Sequence, residues 1–573
     1  MILRRSRTEM KLLRFVYIFA ALFILISGDE YKKPTVLITI LVRNKAHTLP
    51  YFLTFLEQLH YPKDRMHLWI RSDNNIDNSV EILTTWLKNQ ADEYHGIDVN
   101  LDETISKDKF EISQWSRQRF LHVINLREQA LNAGGNMWAD FVWMLDADVF
   151  LTNPNTLNEL IVKNQTVVAP MLKSDGLYSN FWAGMTNDYY YLRTEKYEPI
   201  FYREEKGCFN VPMIHSAVLI DLRRRASDFL TYDPNNLKAY DGPTDDIITF
   251  AVGANMSDIS LFICNDHFYG FVTVPLEETE TIADDEQRLI NIKTEILSNS
   301  NYLPLSTYLE QFVQYPEKDT LGVDHIYMIN LLRRPERRDR MHKLFRELGI
   351  RAETIDAIDG RALNSSIIKE LGIEMMPEYA DPYHDRPMTM GEIGCFLSHY
   401  NIWSKVIENG FESVIVLEDD VRFEPYFRQK IKYILAELDD LQVQWDLIYL
   451  GRKILAGNSE AVVYGSKYLV RPSYSYWTLG YILSGNGAKK LVGAMPLKHL
   501  IPVDEYLPIL ADVHPREDWK IYYPKRNLML LSASPLLIYP THYTGEQGYI
   551  SDTENSTIIL NNQSTFKSKR EDL

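Results

Sequence analysis

Apolar and polar residues follow one another along this chain in blocks typical of alternating strands and helices. Apolar, β-branched runs at Thr35–Val42, His67–Arg71 and Phe141–Leu145 predict buried strands. Amphipathic stretches at Leu49–His60 and Val80–Leu87 predict helices between them. Alternation of this kind predicts βαβ units packed around a mostly parallel sheet, which is an α/β fold.

One predicted strand ends in three consecutive acids. The stretch VIVLEDDVRFE at 414–424 places Glu418, Asp419 and Asp420 directly after four apolar residues. Carboxylates this close repel one another unless a cation lies among them, and oxygen ligands suit Mg²⁺, Ca²⁺ or Mn²⁺. The carboxyl ends of strands are also where open α/β sheets bind ligands. A solvated acidic turn is the alternative interpretation.

The first half of the chain contains a second copy of this pattern. In FVWMLDADVF at 141–150, an apolar run again ends in acids, Asp146 and Asp148. Three further features recur in the same order: arginine after the first strand, an acid pair before an apolar stretch, and a late His-aromatic-x-Gly. Their residues are Arg43 and Arg333 with Arg334; Asp245-Asp246 and Asp504-Glu505; His267 and His542. The repeats predict two tandem domains of one architecture.

The strongest helix prediction covers Thr389–Asn409. Thr389 and Glu392 have the spacing of a capping box, and Gly410 is a typical C-terminal stop. His399 lies on the same face as Phe396 and Trp403, which favours a buried structural histidine over a ligand.

Composition sets the broader limits. A chain of 573 residues is too long for a single hydrophobic core, so two or three domains are expected. The net charge of −17 argues against a nucleic-acid partner. The three cysteines exclude a disulfide framework, although Cys208 and Cys264 can form one bridge within the first half. Basic residues followed by the apolar segment Phe15–Ile26 predict a signal peptide at 1–28, with an uncleaved anchor as the alternative. We therefore expect the secretory route and no stable membrane span.

The predicted domains occupy 33–275 and 323–547. An acidic run followed by prolines at 304 and 316 predicts a linker over 276–322, in which Asp284–Leu297 has the pattern of a helix. A polar tail covers 548–573. The sequence leaves the oligomeric state open, a homo-oligomer included.

Displacement of a metal-bound diphosphate from a sugar anomeric carbon would use these parts. Acids bind the cation, His542 adds a nitrogen ligand that Mn²⁺ accepts, and arginines contact the phosphate oxygens. A separate carboxylate, Asp504 or Glu505, is the candidate general base. Structural roles are the alternatives for these residues: Asp504 can cap the helix after Pro502, and the arginines can line a solvated face.

Several blocks resemble glycosyltransferase family 25 over roughly residues 323–545. They are INLLRRPERRDRM (329–341), MGEIGCFLSHYNIW (390–403), VIVLEDDVRFE (414–424), WDLIYLG (445–451), YILSGNGAKKL (481–491) and PVDEYL (502–507). The resemblance implies a GT-A-type (Rossmann-like) nucleotide-sugar fold in each half. It further implies inverting transfer of galactose from UDP-galactose to hydroxylysine of collagen, with Mn²⁺, in the endoplasmic reticulum lumen.

The same resemblance implies roles for individual residues. Glu418, Asp419 and Asp420 match the acidic motif, Asp146 and Asp148 match an N-terminal DxD motif, and His399 falls in the GCFLSH block, which favours a catalytic role. Asn330, Arg333 and Arg334 belong to the first block, and with Arg43 they are the predicted donor-binding residues.

Two departures from the family pattern bear on these expectations. The chain ends Arg-Glu-Asp-Leu, whereas the retrieval signal is Lys/His-Asp-Glu-Leu. The family also contains a relative regarded as an adhesion molecule, so an inactive collagen-binding homologue is the alternative function. Both acidic motifs are intact here, which favours an enzyme.

Overall fold

A computed structural model describes residues 32–102, 113–238, 240–300, 302–455, 460–546 and 548–553. The predicted signal peptide at 1–28 and the final four residues lie outside this description. The chain divides into two compact units. The first runs to Thr279 and includes Leu305–Phe312, and the second consists of Glu280–Pro304 and the chain from Val313 onward.

The described part of the first unit contains strands and helices in alternation, as the apolar blocks predict, and its elements follow in chain order. They are β1 (Val36–Val42), α1 (Leu49–Glu57), β2 (Met66–Ser72), α2 (Ser79–Gln90), β3 (Gly96–Leu101), α3 (Arg117–Asn136), β4 (Phe141–Leu145), β5 (Val149–Phe150), α4 (Thr156–Val162), β6 (Val167–Pro170), β7 (Phe181–Trp182), α5 (Tyr197–Phe201), β8 (Cys208–Val211), β9 (Met213–Ile214), β10 (Ala217–Asp221), α6 (Asp246–Met256), β11 (Leu261–Cys264) and β12 (Phe271–Val272).

The main sheet of the first unit has the order β3-β2-β1-β4-β10-β6-β11-β8. Strands β1 to β4 pair in parallel, because the connections between them contain helices that cross over the sheet. Strand β10 then joins β4 antiparallel, with Ala217 opposite Leu145. This half-parallel, mixed sheet confirms the predicted α/β class for the first domain.

The second unit repeats this plan. Its elements are α7 (Ile282–Ser300), β13 (His325–Asn330), α8 (Pro335–Leu348), β14 (Glu353–Asp356), α9 (Ser365–Glu370), α10 (Met390–Asn409), β15 (Ser413–Glu418), β16 (Val421–Phe423), α11 (Phe427–Leu441), β17 (Leu447–Ile454), β18 (Ala461–Val462), β19 (Leu469–Arg471), β20 (Ser475–Ser484), α12 (Gly485–Gly493), α13 (Val503–Leu510), α14 (Glu517–Lys520), β21 (Leu530–Ala533) and β22 (Ile538–Pro540).

Its sheet has the order β14-β13-β15-β20-β17-β21-β19-β18. Strands β14, β13 and β15 are parallel, and β20 joins β15 antiparallel with Gly480 opposite Leu417. Strand β20 therefore holds the place that β10 holds in the first unit. The tandem repeat inferred from sequence is present as two sheets of related topology.

The segment predicted to be an acidic linker, residues 276–322, is built into both units. Helix α7 belongs to the second unit, where Leu297 joins the apolar core and Lys293 forms a buried ion pair with Glu347 at 2.6 Å. Leu305–Phe312 belongs to the first unit, where Tyr308 donates a hydrogen bond to Glu57 at 2.5 Å. Helical spacing of the apolar residues outweighs the acidic run at the start of α7.

Helix α10 has the predicted ends. The Thr389 hydroxyl accepts from the Glu392 backbone at 3.1 Å, and the Glu392 carboxylate accepts from the Thr389 backbone at 2.8 Å. Gly410 ends the helix with φ 66°, in the left-handed region that favours glycine. The predicted capping box and C-terminal stop are confirmed, and His399 of this helix contacts Tyr481 and Glu418 of the sheet.

Cys208 and Cys264 form the disulfide that the sequence permits, and they are register partners on the antiparallel strands β8 and β11. In the parts of the chain that the structure describes, no helix combines the length and apolar character needed to cross a bilayer.

Candidate functional site

Strand β15 delivers the acids Glu418, Asp419 and Asp420 to the carboxyl edge of the second sheet. Asn330 ends the neighbouring parallel strand β13, and its amide donates to Asp419 at 2.6 Å and to the backbone carbonyl of Arg334 at 3.1 Å. Its carbonyl oxygen accepts from Arg338 at 2.7 Å. Asn330, which we predicted to bind the donor, is therefore committed to orienting Asp419.

Two arginines on α8 supply positive charge to the acids. Arg337 lies 3.1 Å from the Asp419 carboxylate and 3.5 Å from that of Asp420. Arg340 donates to the backbone carbonyl of Asp419 at 2.6 Å. Burial nevertheless raises the pKa of both Asp419 and Asp420, and repulsion from the neighbouring acid, Asp420 for Asp419 and Glu418 for Asp420, acts in the same direction. The arginines offset the charge of the acids only in part.

A cation fits at Asp420. Its Oδ1 atom is buried and has no hydrogen-bond partner among the described residues. The backbone carbonyl of Asp420 accepts from the amide and the hydroxyl of Thr541, at 2.8 and 2.9 Å, which places the predicted ligand His542 one residue further along the same segment. Buried carboxylate oxygens with one atom unpaired are the ligands that hard divalent cations such as Mn²⁺ take.

Glu418 and Asp504 meet at a shared hydroxyl group. The Thr478 Oγ1 atom lies 3.1 Å from Glu418 Oε1 and 3.1 Å from Asp504 Oδ1, and the Trp477 backbone amide donates to Asp504 at 3.1 Å. Burial raises the pKa of Glu418 to about 7 and that of Asp504 to about 7, and the charge of Glu418 acts further to raise the pKa of Asp504. Asp504 does not cap its helix, because Pro502 is the N-cap residue.

His399 is both buried and in contact with the acids. Its Nδ1 atom lies 2.9 Å from the Tyr481 hydroxyl, and its Nε2 atom lies 3.3 Å from Glu418. Trp403 donates to the same Tyr481 oxygen at 2.9 Å, so the Tyr481 proton is free to point at Nδ1. Burial lowers the pKa of His399 to about 4, and the neutral ring then donates from Nε2 to Glu418.

One cysteine also reaches this cluster. Potential ligand atoms of Cys395, His399 and Glu418 lie within 4.8 Å of one another. Cys395 and His399 are four residues apart on α10 and therefore share a helix face. Burial raises the pKa of the Cys395 thiol, so the sulfur is kept protonated beside the acids.

Glu505 is separated from its neighbour Asp504 by the geometry of α13. Its carboxylate accepts from Tyr476 at 2.6 Å and from Tyr474 at 2.7 Å, and His514 lies 2.8 Å away. The side chain is 2% exposed. A carboxylate with both oxygens bound in this way fits a structural role. The hydroxyl groups of Tyr474 and Tyr476 are engaged by the same hydrogen bonds to Glu505. Of the two predicted bases, Asp504 is the one that lies with Glu418.

The arginines after β13 are bound by the far end of the chain. Arg333 donates to Asp552 at 2.6 Å and to Asp359 at 2.7 Å. Arg334 donates to both oxygens of Asp552, at 2.9 and 2.7 Å. The two predicted donor-binding arginines thus point together towards an anion, which in this structure is a side chain of the protein itself.

In the first unit, protein cations neutralise the corresponding acids. Arg127 on α3 donates to Asp146 at 2.9 Å and to Asp246 at 2.5 Å, and Lys45 lies 2.8 Å from Asp148. These pairs fill the role that the sequence analysis assigned to a metal ion at Asp146 and Asp148. Arg43 has a buried Nε atom without a hydrogen-bond partner among the described residues.

Strand register relates the two sites residue by residue. With Leu145 matched to Leu417 and Ala217 matched to Gly480, His215 of the first unit corresponds to Thr478 of the second. Burial lowers the pKa of His215 to about 4. The register of β1 and β13 likewise matches Lys45, and not Arg43, with Arg333.

Several residues of these sites escaped the sequence analysis. They are Lys45, Arg127, His215, Cys395, Thr478 and Asp552. The spacing of four residues between Cys395 and His399 on a predicted helix could have indicated that Cys395 lies at the site. The others approach the acids across long sequence separations, which no local pattern reveals.

An α/β domain with carboxylates and arginines gathered at the carboxyl edge of parallel strands belongs to the class that binds anionic ligands at that edge. Sequence profiles identify the class more closely. The profile described as "Glycosyltransferase family 25, N-terminal domain" matches residues 33–293, and that described as "Glycosyltransferase family 25 (LPS biosynthesis protein)" matches residues 323–507. The chain belongs to glycosyltransferase family 25, so the predicted enzyme class, glycosyltransferase, is confirmed.

Individual relatives support this assignment. A glycosyltransferase 25 family member of Aedes aegypti is 51% identical over 93% of this chain and 88% of its own length. Procollagen galactosyltransferase 2 of Homo sapiens is 48% identical over 92% of this chain and 84% of its own length. A solved mannosyltransferase from Pyrobaculum calidifontis is similar at 14% identity, with a TM-score of 0.28 over 49% of this chain and 68% of that one.

Proposed function

We propose that this protein transfers galactose from UDP-galactose to hydroxylysine of collagen, with inversion and with Mn²⁺, at the site of the second unit. The vertebrate relatives named procollagen galactosyltransferase support the acceptor and the sugar, since they are 45–48% identical over 92% of the chain. An inactive collagen-binding homologue is the alternative that the experiment below distinguishes.

The acids of the two units differ in how they are paired, and this difference favours the second unit as the catalytic site. In the first unit, Asp146 and Asp246 close around the guanidinium of Arg127. In the second, Glu418 and Asp504 both contact the Thr478 hydroxyl, and the His399 ring also contacts Glu418. Asp146 is paired with a permanently charged guanidinium, whereas no arginine or lysine forms an ion pair with Glu418 or Asp504 among the described residues, and burial raises the pKa of each of these two to about 7. Groups of that kind suit proton transfer at physiological pH.

The residues of the second unit divide among the required roles. Asp420, with Asp419, Glu418 and His542, would hold Mn²⁺, which neutralises charge on a departing diphosphate. Arg333 and Arg334 would contact the diphosphate oxygens.

Asp504 would accept the proton of the acceptor hydroxyl as general base. The neutral His399 ring donates to Glu418 and keeps that carboxylate directed at the cluster. A single base of this kind is what in-line, inverting displacement requires, because attack and departure occur on opposite faces of the sugar.

The endoplasmic reticulum lumen is the proposed location. The predicted signal peptide supports entry into the secretory route. The Cys208–Cys264 disulfide supports an oxidising compartment.

The test compares two double variants of the full chain, Asp419→Asn/Asp420→Asn and Asp146→Asn/Asp148→Asn. Galactose transfer from UDP-galactose to a hydroxylysine peptide is measured with and without Mn²⁺. We expect the second-unit variant to lose at least a hundredfold of the rate and the first-unit variant to retain most of it. Full activity of the second-unit variant would refute the assignment, and absence of UDP release from the unmodified protein would favour the binding homologue.

A further inference from the structure

Residues 548–553, which we call the C-terminal segment, lie against the arginines of the second site. Besides the contacts of Asp552 with Arg333 and Arg334, the Ile550 carbonyl accepts from Arg337 at 3.2 Å. The Thr553 carbonyl accepts from the Thr389 hydroxyl at 2.8 Å. The segment thus crosses from the start of α8 to the start of α10, at the edge of the sheet where the acids lie.

Asp552 is held as an anion at this position. Its side chain is 12% exposed. Burial acts to raise its pKa, but hydrogen bonds from Arg334 and Arg333 outweigh that effect and lower it. Arg334 binds both carboxylate oxygens, the fork geometry that guanidinium groups also use on phosphate. The three arginines form a built anion site, and Asp552 is its present occupant.

The anion site adjoins the acid cluster through one shared side chain. The Arg337 Nη1 atom lies 3.1 Å from Asp419 Oδ1 and 4.0 Å from Asp552 Oδ2. Arg333 and Arg334 immediately precede the first turn of α8, a fourteen-residue helix whose N-terminal amides also favour negative charge. A diphosphate carries more negative charge than one carboxylate, so the same donors have greater attraction for it.

We propose that Asp552 occupies the subsite for the diphosphate of the nucleotide, and that diphosphate binding displaces the C-terminal segment. The nucleotide in this statement rests on the proposed function, whereas the preference of the arginines for a diphosphate does not. When a segment of the chain occupies a binding site, the apparent affinity for a ligand is reduced by the fraction of molecules in which the site is open. Removal of the Asp552 carboxylate therefore strengthens diphosphate binding.

The test measures binding to the full-length protein and to Asp552→Ala and Asp552→Asn variants by calorimetry. Inorganic pyrophosphate and UDP are the probes, each with and without Mn²⁺. We expect both variants to bind each probe about tenfold more tightly than the unmodified protein. Asp339→Asn is the matched control, because Asp339 lies on α8, is 65% exposed and pairs with Lys343.

Hydrogen exchange supplies an independent measure that does not depend on a substitution. Saturating pyrophosphate should accelerate exchange at the backbone amides of the C-terminal segment in the unmodified protein. Slower exchange there would mean that the segment closes over the ligand, and it would overturn the proposal. Unchanged or weaker pyrophosphate binding by both Asp552 variants would overturn it as well.

The two probes separate this inference from the proposed function. Tighter binding of pyrophosphate but not of UDP would support the anion site and its occupation by Asp552, and would count against the nucleotide function. Tighter binding of both supports the two statements together.

Discussion

The carboxyl groups of Glu418 and Asp504 share a single hydroxyl group, since Thr478 Oγ1 lies 3.1 Å from an oxygen of each. A threonine hydroxyl has one proton to donate. It can therefore donate to only one of the two carboxyl groups, and its contact with the other is favourable when that other group is protonated and donates to the hydroxyl oxygen. The pair is arranged to hold one proton near neutral pH, in keeping with the raised pKa of both groups.

Replacement of Asp504 should abolish transfer while leaving donor binding intact. Because general-base catalysis contributes roughly 10²–10⁴-fold, Asp504→Asn should lower kcat by that factor with little change in the affinity for UDP. Steady-state kinetics and calorimetry provide the two measurements. Asp512→Asn, at an exposed position of the same unit, is the control and should retain the rate. Comparable loss in both variants would contradict the role of Asp504.

Replacement of Glu418 should stabilise the protein at alkaline pH. Burial raises the pKa of Glu418 from its ordinary value of 4.5 to about 7. The folded state therefore holds a proton that the unfolded chain releases, and this stabilisation is complete below about pH 4.5 and lost as pH rises through about 7.

Since glutamine cannot ionise, Glu418→Gln should melt at a higher temperature than the unmodified protein at pH 8, and the gap should close towards pH 5. The effect is on the order of 1–3 kcal/mol. Melting curves in chelator exclude metal effects, and the exposed Glu370→Gln serves as control. A difference in melting temperature that grows towards acid pH would contradict the predicted direction of the pH dependence.

Loss of Arg127 should destabilise the first unit. Arg127→Met leaves Asp146 and Asp246 partly buried without their shared counter-charge, and breaking a buried pair from one side costs about 3–5 kcal/mol. Thermal unfolding should reveal an early transition, and adding Asp146→Asn should recover part of the loss. Arg117→Met, an exposed position on the same helix, should leave the transition in place. An unchanged melting curve for Arg127→Met would show that the pair has no structural role.

Removal of the Asp420 carboxylate should weaken Mn²⁺ binding. The unpaired, buried Oδ1 atom is available to a cation, so Asp420→Ala should raise the dissociation constant for Mn²⁺ at least tenfold in the presence of UDP. Free Mn²⁺ can be followed by electron paramagnetic resonance. The exposed Asp440→Ala is the matched control, and equal affinities in the two variants would exclude Asp420 as a ligand.

Much of the fold follows from local pattern. The apolar run and acids at 414–424 became β15 with Glu418 at its end, and the capping box at Thr389 began α10 as expected. Periodicity and end signals act over a few residues, which is why they are legible in sequence. The helix predicted at Asp284–Leu297 is likewise present as α7, whereas its place in the second unit and not in a linker depends on contacts with residues such as Glu347 that are distant in the chain.

The sequence by itself determined which side chains are available: the two acid motifs, the arginines after the first strand of each half, and the helix that carries His399. Only the tertiary structure decided which charges meet. It placed Arg127 between the acids of the first unit, Thr478 between those of the second, and Asp552 on Arg333 and Arg334. The reason is physical: hydrophobic periodicity is a property of neighbouring residues, whereas the pairing of buried charges depends on elements that folding brings together from far apart.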